Sequence, residues 1–347
     1  MLGTLAMKFR LPQRFVSDIG IDLGTANTLV HVRGRGIVLS EPSIIAFDRA
    51  THAVVAVGTP AKAMLGRTPG TIDVIRPLKD GVITHFDAAQ TLLRHLVARV
   101  QGRSPWRRPR MVIGVPSCIT PVEKRAVREA AVQAGAHAVY LVEEPMAAAI
   151  GAGLPIHEPG GHVVVDIGGG TTEVAVISLS GVVHCQSVRT AGDEMNEAIV
   201  QYIRKHYNVL IGERRAEEIK LALGAARRSG GEQSIVVKGS DAVARVPKAI
   251  RIGEDEVREA VHDCIGSIVA TIRSSLECTP PEIAADMVDS GIVLTGGGAL
   301  LDGLDEIIRK ETYLPVTIAD EPLSCVVRGV GVLLEDISLL ERVSLRD

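Results

Sequence analysis

The sequence predicts an α/β fold built twice: two similar lobes face a central cleft, and each lobe carries an inserted subdomain. Three observations predict it. The stretch Ile19-Gly20-Ile21-Asp22-Leu23-Gly24-Thr25-Ala26-Asn27-Thr28 is an apolar strand that ends in Asp, turns on glycine, presents a hydroxyl and resumes as a β-rich strand to Val32. The same pattern returns as Val163-Val164-Val165-Asp166-Ile167-Gly168-Gly169-Gly170-Thr171-Thr172-Glu173 and resumes to Leu179. A third glycine cluster, Leu294-Thr295-Gly296-Gly297-Gly298-Ala299, follows another apolar strand that starts at Gly291. Glycines let a backbone approach a polyphosphate and aim successive N–H groups at its oxygens. The Asp at each strand end faces the same spot, where Asp22 and Asp166 can hold a hydrated Mg²⁺, an ion that sheds its water reluctantly. Two facing hairpins would clamp one nucleotide between the lobes, and the third cluster would complete the cleft.

Residues 17–33 form the first hairpin, and 34–74 a small insertion with Glu41-Pro42-Ser43 and the loop Gly66-Arg67-Thr68-Pro69-Gly70. Beyond Arg76-Pro77, Leu92, Leu93, Leu96 and Val100 share one face, which predicts an amphipathic helix over 88–100. A basic loop, 101–110, leads into a buried strand over 111–115. Thr120-Pro121-Val122-Glu123 has the form of a capping box with proline in the first turn, and Gly135 is placed to close that helix. Residues 190–249 read as a second, largely helical insertion, and a helix over 254–277 returns the chain to the Gly296 cluster.

Bulk properties narrow the class. A chain of 347 residues is long for one core, so two domains are the default. A pI near 6.4 argues against a dedicated nucleic-acid binder. Five scattered cysteines (Cys118, Cys185, Cys264, Cys278, Cys325) without a C-x-x-C suit reduced, mostly buried thiols rather than a disulfide framework or zinc site. No run approaches about 18 uninterrupted apolar residues, and residues 1–16 lack a signal-peptide core, so a cytosolic protein is expected. In that segment Leu2, Leu5, Ala6 and Phe9 share one helical face, as in a short amphipathic anchor; a frayed terminus is the alternative. Arg103-Ser104-Pro105-Trp106-Arg107-Arg108-Pro109-Arg110 sets the one tryptophan of the chain among arginines. Trp favours the membrane interface and Arg attracts anionic headgroups, so Pro105 and Trp106 are candidate membrane contacts. The alternative is a basic solvated turn with Trp106 packed on its own lobe.

The paired hairpins resemble those of the superfamily that holds actin, DnaK-type chaperones and sugar kinases, and the flanks sharpen the likeness. Ile21 to Thr28 is followed by Gly36-Ile37-Val38-Leu39-Ser40-Glu41-Pro42-Ser43, and Gly66 to Gly70 by Ile75-Arg76-Pro77-Leu78-Lys79-Asp80-Gly81-Val82-Ile83. With Val142-Glu143-Glu144-Pro145-Met146-Ala147-Ala148-Ala149-Ile150-Gly151, Ala191-Gly192-Asp193-Glu194-Met195 and Leu294 to Leu301, these resemble the MreB family of bacterial actins. Only 1–16 and 228–250 lack distinctive matching motifs.

The resemblance implies an actin-like fold, with subdomain IA over 17–33, 75–155 and 322–347, IB over 34–74, IIA over 156–189 and 250–321, and IIB over 190–249. It implies ATP and Mg²⁺ as cofactors. Phosphate contacts would come from Thr25, Ala26, Asn27, Gly169, Gly170 and Thr171. The adenosine side would use Gly296, Gly297, Gly298 and Ala299, with Glu217, Glu218, Ile219 and Lys220, a stretch that by pattern alone reads as a solvated helix face. Glu144 aligns with the catalytic position that handles the attacking water, and Thr171 is the second candidate. Glu143 is the adjacent alternative, since either carboxylate could instead cap the helix from Met146. The resemblance further implies slow ATP hydrolysis that times polymer turnover, and paired protofilaments on the inner face of the cytoplasmic membrane. Cell-wall synthesis and rod-complex proteins would be partners, with no nucleic acid. Pro105-Trp106 stands where the family carries an apolar membrane-inserting pair.

Departures from the family pattern are Thr84-His85-Phe86-Asp87, Asn196 in place of an acidic residue, and Arg227 to Gly231 without an acidic cluster. They bear on protofilament contacts rather than on the nucleotide site. A small-molecule kinase of the same superfamily is the alternative function, but no separate substrate motif is visible. A chaperone-type ATPase lacks chain for a peptide-binding domain, and a scaffold without turnover would not be expected to keep Glu144 and Thr171.

Overall fold

β-Branched side chains pack well on a pleated, buried surface, and the Val- and Ile-rich runs form strands accordingly. The computed structural model describes residues 18–101, 108–227 and 233–346. Ile19–Leu23, Asn27–Val32 and Gly36–Pro42 make an antiparallel meander, and Arg110–Val115 then Ala138–Glu143 add in parallel on the Ile19–Leu23 side. The second sheet repeats this topology. His162–Ile167, Thr172–Ser178 and Gly181–Val188 form its meander, with Ile292–Thr295 and Val316–Ile318 in parallel. The duplication legible in two loops therefore extends to whole sheets, and the chain has the expected actin-like two-lobe architecture.

An insertion separates the third and fourth strands of each sheet. In the first lobe it holds a small sheet of Ile45–Asp48, Val54–Val57 and Ile72–Ile75 with the helix Thr59–Met64. In the second lobe it is not largely helical as expected. Helices Gly192–Tyr207 and Glu213–Leu223 are joined by a three-stranded sheet of Val209–Leu210, Ser234–Asp241 and Pro247–Gly253. Val237 points into the core while Val236 and Lys238 face out, an alternation of period two. So short a run among charged residues carries little signal until a partner strand pairs with it.

Local signals elsewhere were sufficient. The helix Pro121–Gln133 opens on the Thr120–Glu123 capping box, and the helix Glu254–Glu277 has its expected bounds. The helix Glu144–Gly151 starts without a side-chain cap, so neither glutamate caps it. All five cysteines are free, but only Cys325 is buried, while Cys118 and Cys278 are exposed. The expectation of mostly buried thiols is corrected: Cys118 lies in the turn after Arg110–Val115 and Cys278 caps a helix end, places where spacing says nothing of burial.

After its last strand each sheet leads to a helix that crosses between the lobes. Glu144–Gly151 follows the first sheet and packs on the second; Cys325–Glu335 follows the second and packs on the first. Met146, Val164, Ala175, Val330 and Leu333 join one buried cluster between them. The crossing is backbone on backbone. A Cβ on Gly151 would stand 1.8 Å from the Cys325 carbonyl oxygen, and one on Gly329 would stand 1.8 Å from that of Ala147. Among the described residues no helix is long and apolar enough to cross a membrane. Pro105, Trp106 and the segment 1–16 lie outside the described residues.

Candidate functional site

The first loop, between Ile19–Leu23 and Asn27–Val32, is pinned by residues from its own insertion. Ser43 Oγ donates to the Gly24 carbonyl at 2.6 Å and lies 2.8 Å from Thr28 Oγ1. Ser43 N–H donates to the Ala26 carbonyl at 3.0 Å. The buried Thr25 hydroxyl accepts from Gly81 N–H at 2.9 Å. Asn27 sits at the exposed edge of the loop.

The second loop is held by the N-terminus of the helix Gly192–Tyr207. Gly192 and Asp193 N–H donate to the carbonyls of Gly168 and Gly169 at 3.2 and 2.7 Å. The two loops touch. A Cβ on Gly169 would stand 2.8 Å from Ala26 Cβ, and one on Gly170 would stand 2.9 Å from both Thr25 Oγ1 and Asp80 N. The second loop thus presents bare backbone to the short side chains of Thr25 and Ala26, and the Asp80-Gly81 turn touches both loops.

The third cluster lies against the end of the strand that carries Asp166. Gly296 has φ +79°, and a Cβ there would stand 2.6 Å from Asp166 Oδ1, so only glycine fits. Gly297 is exposed, Gly298 abuts Ile167 and Ala299 is buried. On the helix Glu213–Leu223, Lys220 Nζ donates to the Gly192 carbonyl at 2.6 Å, behind the second loop. Glu217 pairs with Lys62 at 2.7 Å, which ties the two insertions together, and Glu213 pairs with Arg76, just beyond the first insertion, at 2.5 Å. Glu218 pairs with Arg215 at 2.6 Å, and Ile219 is buried in the core of the second lobe.

Beneath the loops the carboxyl groups of Asp22, Asp166, Glu144 and Glu173 share a largely buried space and act on one another. Asp22 is pushed up to about 7 by burial and by Asp166. Burial raises Asp166 to about 6, against the Thr295 hydroxyl that donates to its Oδ1 at 3.0 Å. Glu144 is raised well above the usual carboxylate range by burial, then by Glu173, Asp22 and Asp166. Glu173 is raised to about 8 by burial and by Asp166, although Ser117 N–H donates to it at 3.0 Å. Charge of one sign, gathered where water is scarce, is the environment that a divalent cation relieves. Among the described residues no three metal-ligating side chains converge into a direct coordination shell. Glu143 is half-buried and raised by burial, with Lys124 opposing, and it acts on this group only through Glu173, which it helps to raise.

The structure thus gathers Thr25, Ala26, Gly169 and Gly170, and separately Asp22, Asp166 and Glu144. It also adds residues that sequence reasoning left without a role. Glu173 closes the second loop pattern, Thr295 immediately precedes Gly296, and Ser43 and Gly81 sit inside motifs quoted only for their resemblance.

A family model described as MreB/Mbl protein matches residues 16–342. The chain belongs to the MreB/Mbl family. Cell shape-determining protein MreB of Escherichia coli (strain K12) is 51% identical over 330 residues, 94% of this chain and 95% of the relative. Cell shape-determining protein Mbl of Bacillus subtilis (strain 168) is 46% identical over 328 residues, 94% of this chain and 98% of that one. Among solved structures, MreB5 of Spiroplasma citri bound to AMPPNP matches with a TM-score of 0.89 at 37% identity, covering 93% of this chain and 97% of that chain. The MamK double helical filament matches with a TM-score of 0.79 at 24% identity, over 92% of this chain and 99% of that chain, a likeness of fold alone.

Proposed function

We propose that this MreB/Mbl family member binds and slowly hydrolyses ATP and polymerises into filaments on the inner face of the cytoplasmic membrane, where it organises cell-wall synthesis and rod shape. One observation carries the nucleotide reading: the bare glycines of the second loop meet Thr25 and Ala26 of the first beside a largely buried group of carboxylates. The S. citri relative bound to AMPPNP and the cell shape-determining relatives support it.

Backbone N–H groups of Thr25 to Asn27 and Gly169 to Thr171 bind the phosphates. Asp22 and Asp166 would hold a hydrated cation, which their burial and the charge that Asp166 sets against Asp22 fit. Mg²⁺ bound there would supply positive charge to offset that of the phosphates. Glu144 accepts a proton from the attacking water, and the Thr171 hydroxyl orients that water. Burial and the carboxyls of Glu173, Asp22 and Asp166 raise Glu144, which favours its protonated form. Balancing the surrounding negative charge would lower it and favour the ionised form that can accept a proton. Slow turnover then times the polymer rather than metabolism, and the basic loop around Trp106 supplies weak membrane affinity that a filament multiplies.

Sedimentation with ATP and Mg²⁺, with and without anionic liposomes, tests the reading. Nucleotide-dependent filaments on lipid are expected. Soluble monomer under every condition, with phosphate still released, would overturn the cytoskeletal role.

A further inference from the structure

The 3-10 turn Pro322–Ser324 carries an apolar side chain for which the phosphate and carboxylate chemistry has no use. Leu323 is 55% exposed. The backbone around it is nevertheless tightly held. Pro322 accepts from Gly296 N–H at 2.9 Å, and Ser324 N–H and Oγ both return to the Glu321 carbonyl, at 2.8 and 2.9 Å. Arg328 donates to the Asp320 carbonyl at 3.0 Å and Ala319 N–H to that of Leu294 at 3.0 Å. Glu321 takes a left-handed φ of 50° to make the turn, a conformation that non-glycine residues adopt only when their surroundings impose it.

This framework leans Leu323 over Gly297. A Cβ on that glycine would stand 3.1 Å from Leu323 Cδ2. An apolar wall therefore stands beside a bare, exposed stretch of backbone, the kind of slot that takes a flat ring. The polar side chains of the helix expected on this side are already engaged. Glu217 is paired with Lys62, Glu218 with Arg215 and Lys220 with the Gly192 carbonyl. Each of these is already oriented by a bond inside the protein rather than aimed at the slot.

We propose that Leu323 is the base-packing residue of the cleft: the purine lies over Gly297 against the Leu323 isobutyl group, held by apolar contact rather than by side-chain hydrogen bonds to its edge. The inference rests on the nucleotide reading above and adds to it the means of base recognition. It follows that adenine and guanine are poorly distinguished, because a site without polar groups paired to the exocyclic atoms rejects neither strongly.

Calorimetry on the full chain with Mg²⁺ tests this, using ATP, GTP and inorganic tripolyphosphate as probes against the unaltered protein, Leu323→Ala and Leu323→Met. Truncation to Ala should weaken ATP and GTP alike by about tenfold, the scale of losing one partly buried isobutyl contact. Tripolyphosphate affinity and the nucleotide-free melting temperature should be unchanged, and Met should restore most of the loss. Equal ATP affinity for the unaltered protein and Leu323→Ala would overturn the inference alone, as would an equal loss of tripolyphosphate. A preference of about a hundredfold for one purine would overturn recognition by apolar contact. An unaltered protein that binds none of the probes would overturn the nucleotide reading and this inference with it.

Discussion

The strands Ile19–Leu23 and His162–Ile167 hold the same place in matching sheets, yet their aspartates keep different company. Beside Asp166 on the parallel neighbour is Thr295, whose hydroxyl donates to it; the matching station beside Asp22 is Gly114. Without that donor Asp22 stands at about 7 and Asp166 at about 6. A Cβ at Gly114 would stand 3.1 Å from Val326 Cγ1, with Glu144 Cγ at an ordinary contact distance of 3.5 Å.

The crossing helices repeat the lesson. Each close-packed glycine, Gly151 or Gly329, abuts the carbonyl of the residue four positions before its counterpart, Cys325 or Ala147. Three residues before Ala147 is Glu144, and three before Cys325 is Pro322. One lobe places a carboxyl at that station; the other places a carbonyl that holds Gly296, with Leu323 next to it. Duplication supplied matching stations, and divergence at a few of them underlies the different roles proposed for the two lobes.

The symmetry of the crossing is the first thing to break. Gly151→Ala and Gly329→Ala should each cost about 3 kcal/mol or more, because a methyl group would land on backbone that cannot yield. Denaturant midpoints would show this, with Gly70→Ala, which has open space, as the near-neutral control. A large cost at one glycine and none at the other would refute the matched crossing.

The division of chemistry is the second. Glu144→Gln should lower phosphate release by about a hundredfold or more while ATP still binds, whereas Glu143→Gln should change it by less than about twofold. The reverse result would move the role to the glutamate beside Lys124.

The smallest effect concerns the two aspartates. Both have native values above the ordinary 3.8, so the native state holds protons that the unfolded chain has released. That contribution to stability is complete below about 4 and is lost as pH rises through about 6 for Asp166 and about 7 for Asp22. Asp22→Asn should therefore gain on the unaltered protein between pH about 4 and about 7 and then level off. Thr295→Val should push Asp166 upward and extend its window. Urea midpoints across pH, without nucleotide or Mg²⁺, would read both. A constant difference between Asp22→Asn and the unaltered protein would show that Asp22 is not in a buried carboxylate group.

Much of the fold was legible because its signals are local. An apolar run that stops at Asp and glycine is a strand and a turn whatever surrounds it, and Thr120 with Glu123 satisfies a helix start within one turn. The Ser234–Gly253 hairpin was missed because its short, charge-diluted alternation becomes a sheet only through pairing. Glu143 and Glu144 were inseparable in sequence, since adjacent identical residues differ only in what the fold brings to each.

The sequence by itself determined the duplicated α/β plan, the phosphate-type loops and the residues able to serve them. Tertiary structure alone decided which carboxyls meet, that Thr295 attends Asp166 while Gly114 leaves Asp22 bare, and that Leu323 overhangs Gly297. The reason is range. Strand, turn and cap preferences act over a few residues, whereas shared burial and charge repulsion act between groups far apart in the chain that meet only once both lobes have folded and the helices have crossed.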